Sequence, residues 1–98
     1  MRIEIADPAR AELFSAARRY DDENPGLGDE FLVAVIDVAA RFGNQPTWPV
    51  WPGIRQSNPP VRRYIMERFP YAIGFQVFDD HVLVVAIAHA KRRPGYWR

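Results

Sequence analysis

The chain has 98 residues, 48% of them hydrophobic, which is enough for one domain (residues 1–98) with a modest core. It contains no cysteine, and this excludes disulfides, thiol catalysis and thiolate metal sites and agrees with a reducing cytosol. No apolar run approaches the length of a membrane span, and Arg2, Glu4 and Asp7 interrupt the start where a signal peptide needs apolar residues, so we predict a soluble, cytoplasmic protein with no membrane partner.

The charges are distributed unevenly along the chain. Residues 1–49 carry nine acids and five bases, a net charge of −4, and residues 50–98 carry three acids and eight bases, a net charge of +5. Twelve of the 13 bases are arginine, which binds phosphate through two parallel hydrogen bonds, although an arginine-rich genome would give the same ratio. We therefore expect the second half to contact anionic partners.

The first half predicts a strand and two helices. Residues 2–6 alternate like a short strand. Asp7 is expected to cap a first helix that begins at Pro8 and carries apolar residues at helical spacing: Ala9, Leu13, Ala16, Ala17 and Tyr20. Residues 21–26 break this pattern, and a second helix over about 28–42 has a broad apolar stripe: Phe31, Leu32, Val35, Ile36, Ala39 and Phe42. Gly43 and Asn44 would end this helix, and the two helices form a hairpin that needs a surface to cover.

A proline-rich loop and an edge strand follow. Residues 45–60 hold five prolines together with Trp48 and Trp51. We expect the two indoles to cap the core, although they could instead stack on a base or anchor a partner peptide. Residues 61–69 predict a strand without a clear inner face, which is typical of the edge of a sheet.

Two further strands complete the predicted sheet. Tyr71, Ile73, Phe75 and Val77 share the face that should meet the helices, and after the turn at Asp79 and Asp80 residues 82–88 are apolar on both faces, as in a central strand. We predict an α+β fold in which a helical hairpin packs on a four-stranded, mainly antiparallel sheet of strand order 1-4-3-2. The shared core should contain Leu13, Phe31, Val35, Ile73, Phe75 and Val85.

Several local sequences resemble the RelE/ParE superfamily of toxins from bacterial type II toxin–antitoxin pairs. They are Pro25-Gly26-Leu27-Gly28 before the second helix, Phe69-Pro70-Tyr71 before the third strand, and Ala86-Ile87-Ala88-His89 followed by Arg92-Arg93-Pro94-Gly95-Tyr96-Trp97. The resemblance covers nearly the whole chain. It implies a cytoplasmic growth inhibitor without a cofactor, encoded for example by a plasmid-stabilisation locus and held inactive by a cognate antitoxin.

The resemblance leaves two branches of function open, and a decayed toxin that only binds its antitoxin is a third alternative. ParE-like members inhibit DNA gyrase without catalytic residues, and RelE-like members cut messenger RNA on the ribosome without metal. By position, the cleaving branch has cations where this chain has Arg63 and Ile65, an arginine where it has Ala72, and further residues that match Arg92 and Tyr96. Because losing a cation aimed at the reacting phosphate slows such a reaction by orders of magnitude, Ile65 and Ala72 favour the ParE-like branch.

The candidate site residues follow from these two branches. If the chain cleaves RNA, the catalytic residues are Arg63, His89, Arg92 and Tyr96. The candidate antitoxin- or target-binding residues are Arg62, Arg63, Arg68, Arg92, Arg93, Tyr96 and Trp97. An acidic, apolar antitoxin segment is expected to cross the outer face of the sheet and neutralise several of these cations.

Structural roles are an alternative for the same residues. The arginines near the edge strand could be gatekeepers against aggregation, and His89 could be a hydrogen-bonded residue at a strand end. Tyr96 and Trp97 could pin the C-terminus to the sheet. The acids at 21–23 have no metal-ligand spacing with either histidine, so we predict no metal site.

Overall fold

In the computed structural model of the chain, which describes residues 2–42, 48–53 and 57–89, a helical hairpin lies on one face of a four-stranded sheet. The elements are β1 (Arg2–Ile5), α1 (Asp7–Glu23), α2 (Leu27–Phe42), β2 (Arg62–Ile65), β3 (Tyr71–Val77) and β4 (His81–His89). The strand order is β1-β4-β3-β2, with β1 parallel to β4 and the other pairs antiparallel. The predicted fold class and strand order are therefore confirmed. Within the described ranges no helix is long and apolar enough to cross a membrane.

The start of α1 differs from the prediction. Ala6, not Asp7, is the N-cap residue, and no side chain caps this helix end. The N–H of Ala6 donates to the carbonyl of Val84 at 2.9 Å, so Ala6 still follows the pairing of β1 with β4 and stays extended. Asp7 consequently lies in the first helical turn, where its carboxylate interacts favourably with the helix dipole.

The acids at 21–23 belong to α1 and not to the turn that the sequence predicted. The carboxylate of Asp21 accepts hydrogen bonds from the N–H groups of Gly26 at 3.2 Å and Gly28 at 2.8 Å. Two donors at the beginning of α2 are thus satisfied by a side chain of α1. Gly26 has a φ of 93°, a conformation that side chains other than glycine rarely adopt.

The main core lies between the helices and the sheet. Five of the predicted core residues are buried there, namely Leu13, Phe31, Val35, Ile73 and Phe75. The buried face of α2 is rotated relative to the predicted stripe, because Val38 is buried while Ile36 is exposed. The side chain of Phe42 and the predicted cap at Gly43 and Asn44 lie outside the described residues.

Val85 is the predicted core residue that lies elsewhere. The register between β3 and β4 shifts after Gly74, which pairs with Ala86, while Phe75 pairs with Val84. Val85 is therefore the extra residue of a β-bulge, and it packs on the other face of the sheet. Val84 takes the core position, because one inserted residue reverses the alternation along β4.

A second apolar layer covers the outer face of the sheet, away from the helices. Its buried members are Trp51, Val61, Ala72, Ala86 and Ala88. Trp51 lies on Gly74 so closely that a Cβ at position 74 would be 2.9 Å from the indole Cζ3. Of the two tryptophans expected to cap the core, Trp48 is partly buried against the main core, whereas Trp51, 3% exposed, lies in this outer layer.

β2 is the last named strand of the sheet, but its outer edge is not bare. The N–H of Trp51 donates to the carbonyl of Val61 at 2.9 Å, and the N–H of Arg63 donates to the carbonyl of Pro49 at 2.8 Å. The segment 49–51 thus pairs with the beginning of β2. This pairing is what places Trp51 on the outer face.

Candidate functional site

The predicted site residues divide between described and undescribed parts of the chain. Arg62, Arg63, Arg68 and His89 are described. The remaining predicted residues lie outside the described ranges: Arg92, Arg93, Tyr96 and Trp97. Their roles in binding or catalysis stay predictions from the sequence.

Arg62 and Arg63 lie on opposite faces of β2. Arg62 is opposite the core residue Phe75, and its Nη1 donates to the carbonyl of Trp48 at 2.7 Å. Arg63 is opposite Gly74 on the outer face, and its guanidinium carbon lies 5.7 Å from the centre of the Trp51 ring. One arginine thus holds the loop before β2, and the other lies over an indole in cation–π geometry.

Arg68 connects the turn between β2 and β3 to α2. Its Nη2 lies 2.7 Å from Oε1 of Glu30, and its guanidinium carbon is 5.0 Å from the centre of the Phe69 ring. Both partners of the ion pair are exposed, so the pair contributes little stability. The three arginines near β2 therefore contact three different partners.

His89 lies in a cluster that the sequence did not predict. Nη2 of Arg19, on α1, donates to the hydroxyl of Tyr71 at 2.6 Å, and the rings of Tyr71 and His89 meet edge to face at 5.3 Å. These side chains line a cavity of about 230 Å³ together with Tyr20 and Glu23. We call it the Arg19–Tyr71–His89 cluster.

A hydrogen bond and ring contacts hold Arg19 and Tyr71 in place and keep Arg19 charged. The hydrogen bond to Tyr71 raises the pKa of Arg19, so the guanidinium stays charged. The Tyr71 ring is held by edge-to-face and tilted contacts with Tyr20 at 6.3 Å and Phe31 at 5.2 Å. Burial raises the pKa of Tyr20. The cluster thus presents a fixed cation, a phenol and an imidazole at the end of β4.

The two positions that lack a cation differ in their surroundings. Ile65 is 58% exposed and lines a cavity of about 430 Å³ at the end of β2. Ala72 is 6% exposed and belongs to the layer formed with Trp51. A longer side chain fits readily at position 65, whereas at position 72 it would have to displace part of this buried layer.

A series of adjoining cavities runs between α2 and the β2 side of the sheet. Their volumes are about 430, 220, 390 and 210 Å³, and each shares lining residues with the next. We call this series the α2 groove. Its shared lining residues include Val33, Asp37 and Arg41 on α2 and Tyr64, Glu67 and Arg68 across from it.

The second histidine, His81, lies at the other end of β4 from His89. Its Nδ1 is 2.7 Å from Oδ1 of Asp80, its Nε2 is 3.6 Å from Glu4, and its ring stacks on Phe78 at 4.6 Å. The contact with His81 lowers the pKa of Asp80. Within the part of the chain that the structure describes, no group of three or more His, Asp or Glu side chains could hold a metal ion.

Comparisons with known proteins identify a similar fold. No protein-family model matches the sequence, and no curated protein matches it either. Among solved structures, a chain of the chromosomal ParDE TA system from P. aeruginosa superposes with a TM-score of 0.72 at 16% sequence identity. The match covers 91% of this chain and 95% of that chain. The likeness shows that this chain has the RelE/ParE-like fold that the sequence predicted.

Proposed function

We propose that this chain is the toxin of a bacterial type II toxin–antitoxin pair, that it stops growth by binding a cellular target, and that a cognate antitoxin neutralises it. The match to a ParDE chain over nearly the full length of both chains supports this proposal. The C-terminal sequence from His89 to Trp97 also supports it, because this pattern is fairly specific to the RelE/ParE superfamily, although it does not separate the branches within it. DNA gyrase is the first target to test.

The apolar layer on the outer face of the sheet is the observation that carries the binding mechanism. In the cleaving branch a cation at position 72 would stabilise the reacting phosphate, which becomes more anionic as the RNA is cut. Here Ala72 is buried in the same layer as Trp51, and the indole lies directly on Gly74. This arrangement removes one charge that metal-free RNA cleavage needs and favours a toxin that acts by binding.

Expression under an inducible promoter tests the proposal. We expect growth arrest, induction of the DNA-damage response and inhibition of DNA supercoiling by purified gyrase, all relieved when a cognate antitoxin is expressed as well. Phe75→Asp, which places a charge in the core, is the control for toxicity that needs the folded chain. Soluble wild-type protein that leaves growth unchanged would refute the toxin function.

Ribosome-dependent cleavage of messenger RNA is the second candidate, and the Arg19–Tyr71–His89 cluster favours it. An imidazole and a phenol can transfer protons, and a guanidinium can stabilise an anionic phosphate. Purified ribosomes programmed with a defined message test this candidate. If the wild type cuts the message, His89→Ala does not and the control variant Asp22→Ala still does, then cleavage replaces gyrase binding as the proposed function. A message that stays intact supports the binding mechanism.

The same cleavage assay also tests the catalytic residues that the sequence predicts, two of which lie outside the described part of the chain. Arg92→Ala and Tyr96→Phe should then abolish cutting, and Arg63→Ala should weaken it. Tyr71→Phe separates the newly found cluster from the predicted set, because it removes only the hydroxyl that accepts from Arg19. Unchanged cutting in Tyr71→Phe would leave Tyr71 with a purely structural role.

A further inference from the structure

The outer face of the helical hairpin, which lies away from the sheet, carries exposed apolar side chains from both helices. Phe14 on α1 is 54% exposed, and Val33 and Ile36 on α2 are 59% and 43% exposed. Leu32 is partly buried beside them. We call these four residues the hairpin patch. Exposed apolar surface of this kind on a small domain indicates an interaction site.

The residues of the hairpin patch lie at the same height along the two helices. A Cβ at Gly28 would contact the carbonyl of Ala17, so these two residues mark one height at which α1 and α2 meet. Phe14 lies three residues before Ala17, and Val33 lies five residues after Gly28. Because the helices run in opposite directions, both steps lead the same way and differ by only about 3 Å. The patch is therefore one surface that crosses both helices.

Each helix carries a charge one turn before and one turn after its most exposed patch residue. The charges around Phe14 on α1 are cations, and those around Val33 on α2 are carboxylates: Arg10, Arg18, Asp29 and Asp37. None of these four side chains has an ion-pair partner among the described residues. The two rows have opposite charges at the same spacing of four residues, so they are complementary to each other.

Two arginines lie near the carboxylates of α2 without binding them. Nη2 of Arg68 is 2.7 Å from Oε1 of Glu30 instead. Nε of Arg41 donates to the backbone carbonyl of Asp37 at 3.4 Å and forms no ion pair among the described residues. The carboxylates of Asp29 and Asp37 are therefore available to cations from outside the chain.

The acids of α1 likewise leave its two arginines available. Asp21 accepts hydrogen bonds from backbone N–H groups at the beginning of α2. Asp7 and Asp22 lie one turn outside Arg10 and Arg18, at the two ends of α1, and form no ion pair with them. Cations thus flank Phe14 on the exposed side of this helix.

We propose that two copies of this chain form a symmetric dimer through the outer faces of their hairpins, with α1 of each copy packed on α2 of the other. A two-fold axis parallel to the helices places α1 over α2 of the second copy and keeps every residue at its own height. Phe14 then meets Val33 of the second copy, and the two arginines of α1 meet the two aspartates of α2. Each contact occurs twice, and the four helices form a bundle.

The charges disfavour the other symmetric arrangement of two hairpins. A two-fold axis perpendicular to the helices places α1 on α1 and α2 on α2. Arg10 then lies over Arg18 of the second copy, and Asp29 lies over Asp37. Like charges at contact distance oppose association, so the same residues that favour one arrangement exclude the other.

The size of the outer face indicates a weak dimer. The helices have 17 and 16 residues, so the face is about 25 Å long, and two neighbouring helices make it about 20 Å wide. The two copies together cover about 1,000 Å², near the lower limit for a specific interface, and we expect a Kd of roughly 10–100 µM. The outer apolar layer lies on the other face of the sheet, so this inference is independent of the proposed function.

Reversal of the charges tests the pairing, with sedimentation equilibrium of the full chain over about 1–500 µM as the measurement. Arg10→Asp with Arg18→Asp makes both rows acidic, and Asp29→Arg with Asp37→Arg makes both rows basic. We expect each double variant alone to dimerise at least about tenfold more weakly than the wild type. An equimolar mixture of the two should form heterodimers, because each acidic row then meets a basic row.

Two further variants control for the change in net charge. Glu67→Arg with Asp79→Arg adds the same charge as the basic double variant at exposed positions outside the hairpin and should leave the dimer unchanged. The variant with all four hairpin charges reversed keeps the rows complementary and should dimerise about as well as the wild type. Far-ultraviolet circular dichroism checks that every variant is folded.

A third comparison tests the hairpin patch. Val33→Glu should weaken the dimer by about tenfold or more. Ile65→Glu is the matched control, since Ile65 is 58% exposed at the end of β2, and it should keep the dimer. Equal loss in both variants would place the contact elsewhere and overturn the proposal.

Two other results would also overturn the proposal. The first is a wild-type chain that stays monomeric over the whole concentration range; if Val33→Glu then loses binding to a different protein, that protein is the occupant of the patch. The second is a wild-type dimer that the two charge-reversed variants, when mixed, fail to restore.

Discussion

Truncation of Trp51 to alanine measures how strongly the outer apolar layer holds this fold together. The side chain is 3% exposed and contacts Gly74 and the small residues of the outer layer. Truncating a buried tryptophan typically costs about 3–5 kcal/mol of unfolding free energy. Trp51 lies on the surface of the sheet, where water can enter after truncation, and this places the expected loss near the lower limit, at about 3 kcal/mol.

Urea unfolding followed by far-ultraviolet circular dichroism measures this loss as a lower midpoint at an unchanged slope. In a domain of this size about 3 kcal/mol corresponds to a fall in Tm on the order of 12–24 °C. Arg63→Ala is the matched control for the cation–π contact alone and should lose only about 0.5–1 kcal/mol.

A loss below about 1 kcal/mol for Trp51→Ala would refute this reasoning. It would mean that the indole does not stabilise the outer layer. The argument against RNA cleavage from the burial of Ala72 would then lose its support, because a cation at position 72 could displace the ring at little cost.

Three further predictions concern the core, the helical hairpin and the charge pair at the start of β4. Phe75→Ala removes a fully buried ring and should cost about 3–5 kcal/mol in the same urea assay; a loss below about 1 kcal/mol would contradict the burial of Phe75. Gly28→Ala should destabilise the fold by about 1–2 kcal/mol despite the better helix propensity of alanine, since the alanine Cβ would lie 2.7 Å from Cγ of Asp21 and closer still to the α1 backbone. A variant as stable as the wild type would contradict this close contact. The hydrogen bond from His81 lowers the pKa of Asp80 below its usual 3.8, so the contribution of the Asp80 carboxylate to stability is complete above pH 3.8 and is lost as the pH falls through the lowered pKa. The Tm difference between wild type and Asp80→Asn should therefore shrink in that acidic range. A difference that stays constant would exclude this linkage.

The sequence determined the types of element, their order and most of the core. Helical spacing in 9–20 and alternation at Ile73 and Phe75 are local patterns, and each reports directly which face of an element is buried. The strand order followed from two hairpins and one remaining strand. The two hairpins join neighbours in sequence, and the free side of β4 was then the place left for β1.

Tertiary structure decided the details that depend on pairing between distant segments. Ala6 caps α1 because β1 pairs with β4, and Val84 replaces Val85 in the core because of a bulge in that same strand. Trp51 lies on the outer face because the segment 49–51 pairs with β2. Neither the bulge in β4 nor the pairing of 49–51 with β2 leaves a local pattern in the sequence.

The candidate site shows the same division. Arg62, Arg63 and Arg68 are close in sequence, yet the alternation of β2 and the position of α2 direct them to different partners. Arg19 and Tyr71 are 52 residues apart and meet only because α1 packs across the sheet. Sequence therefore determined which side chains are present, and the packing of helices on the sheet decided which of them act together.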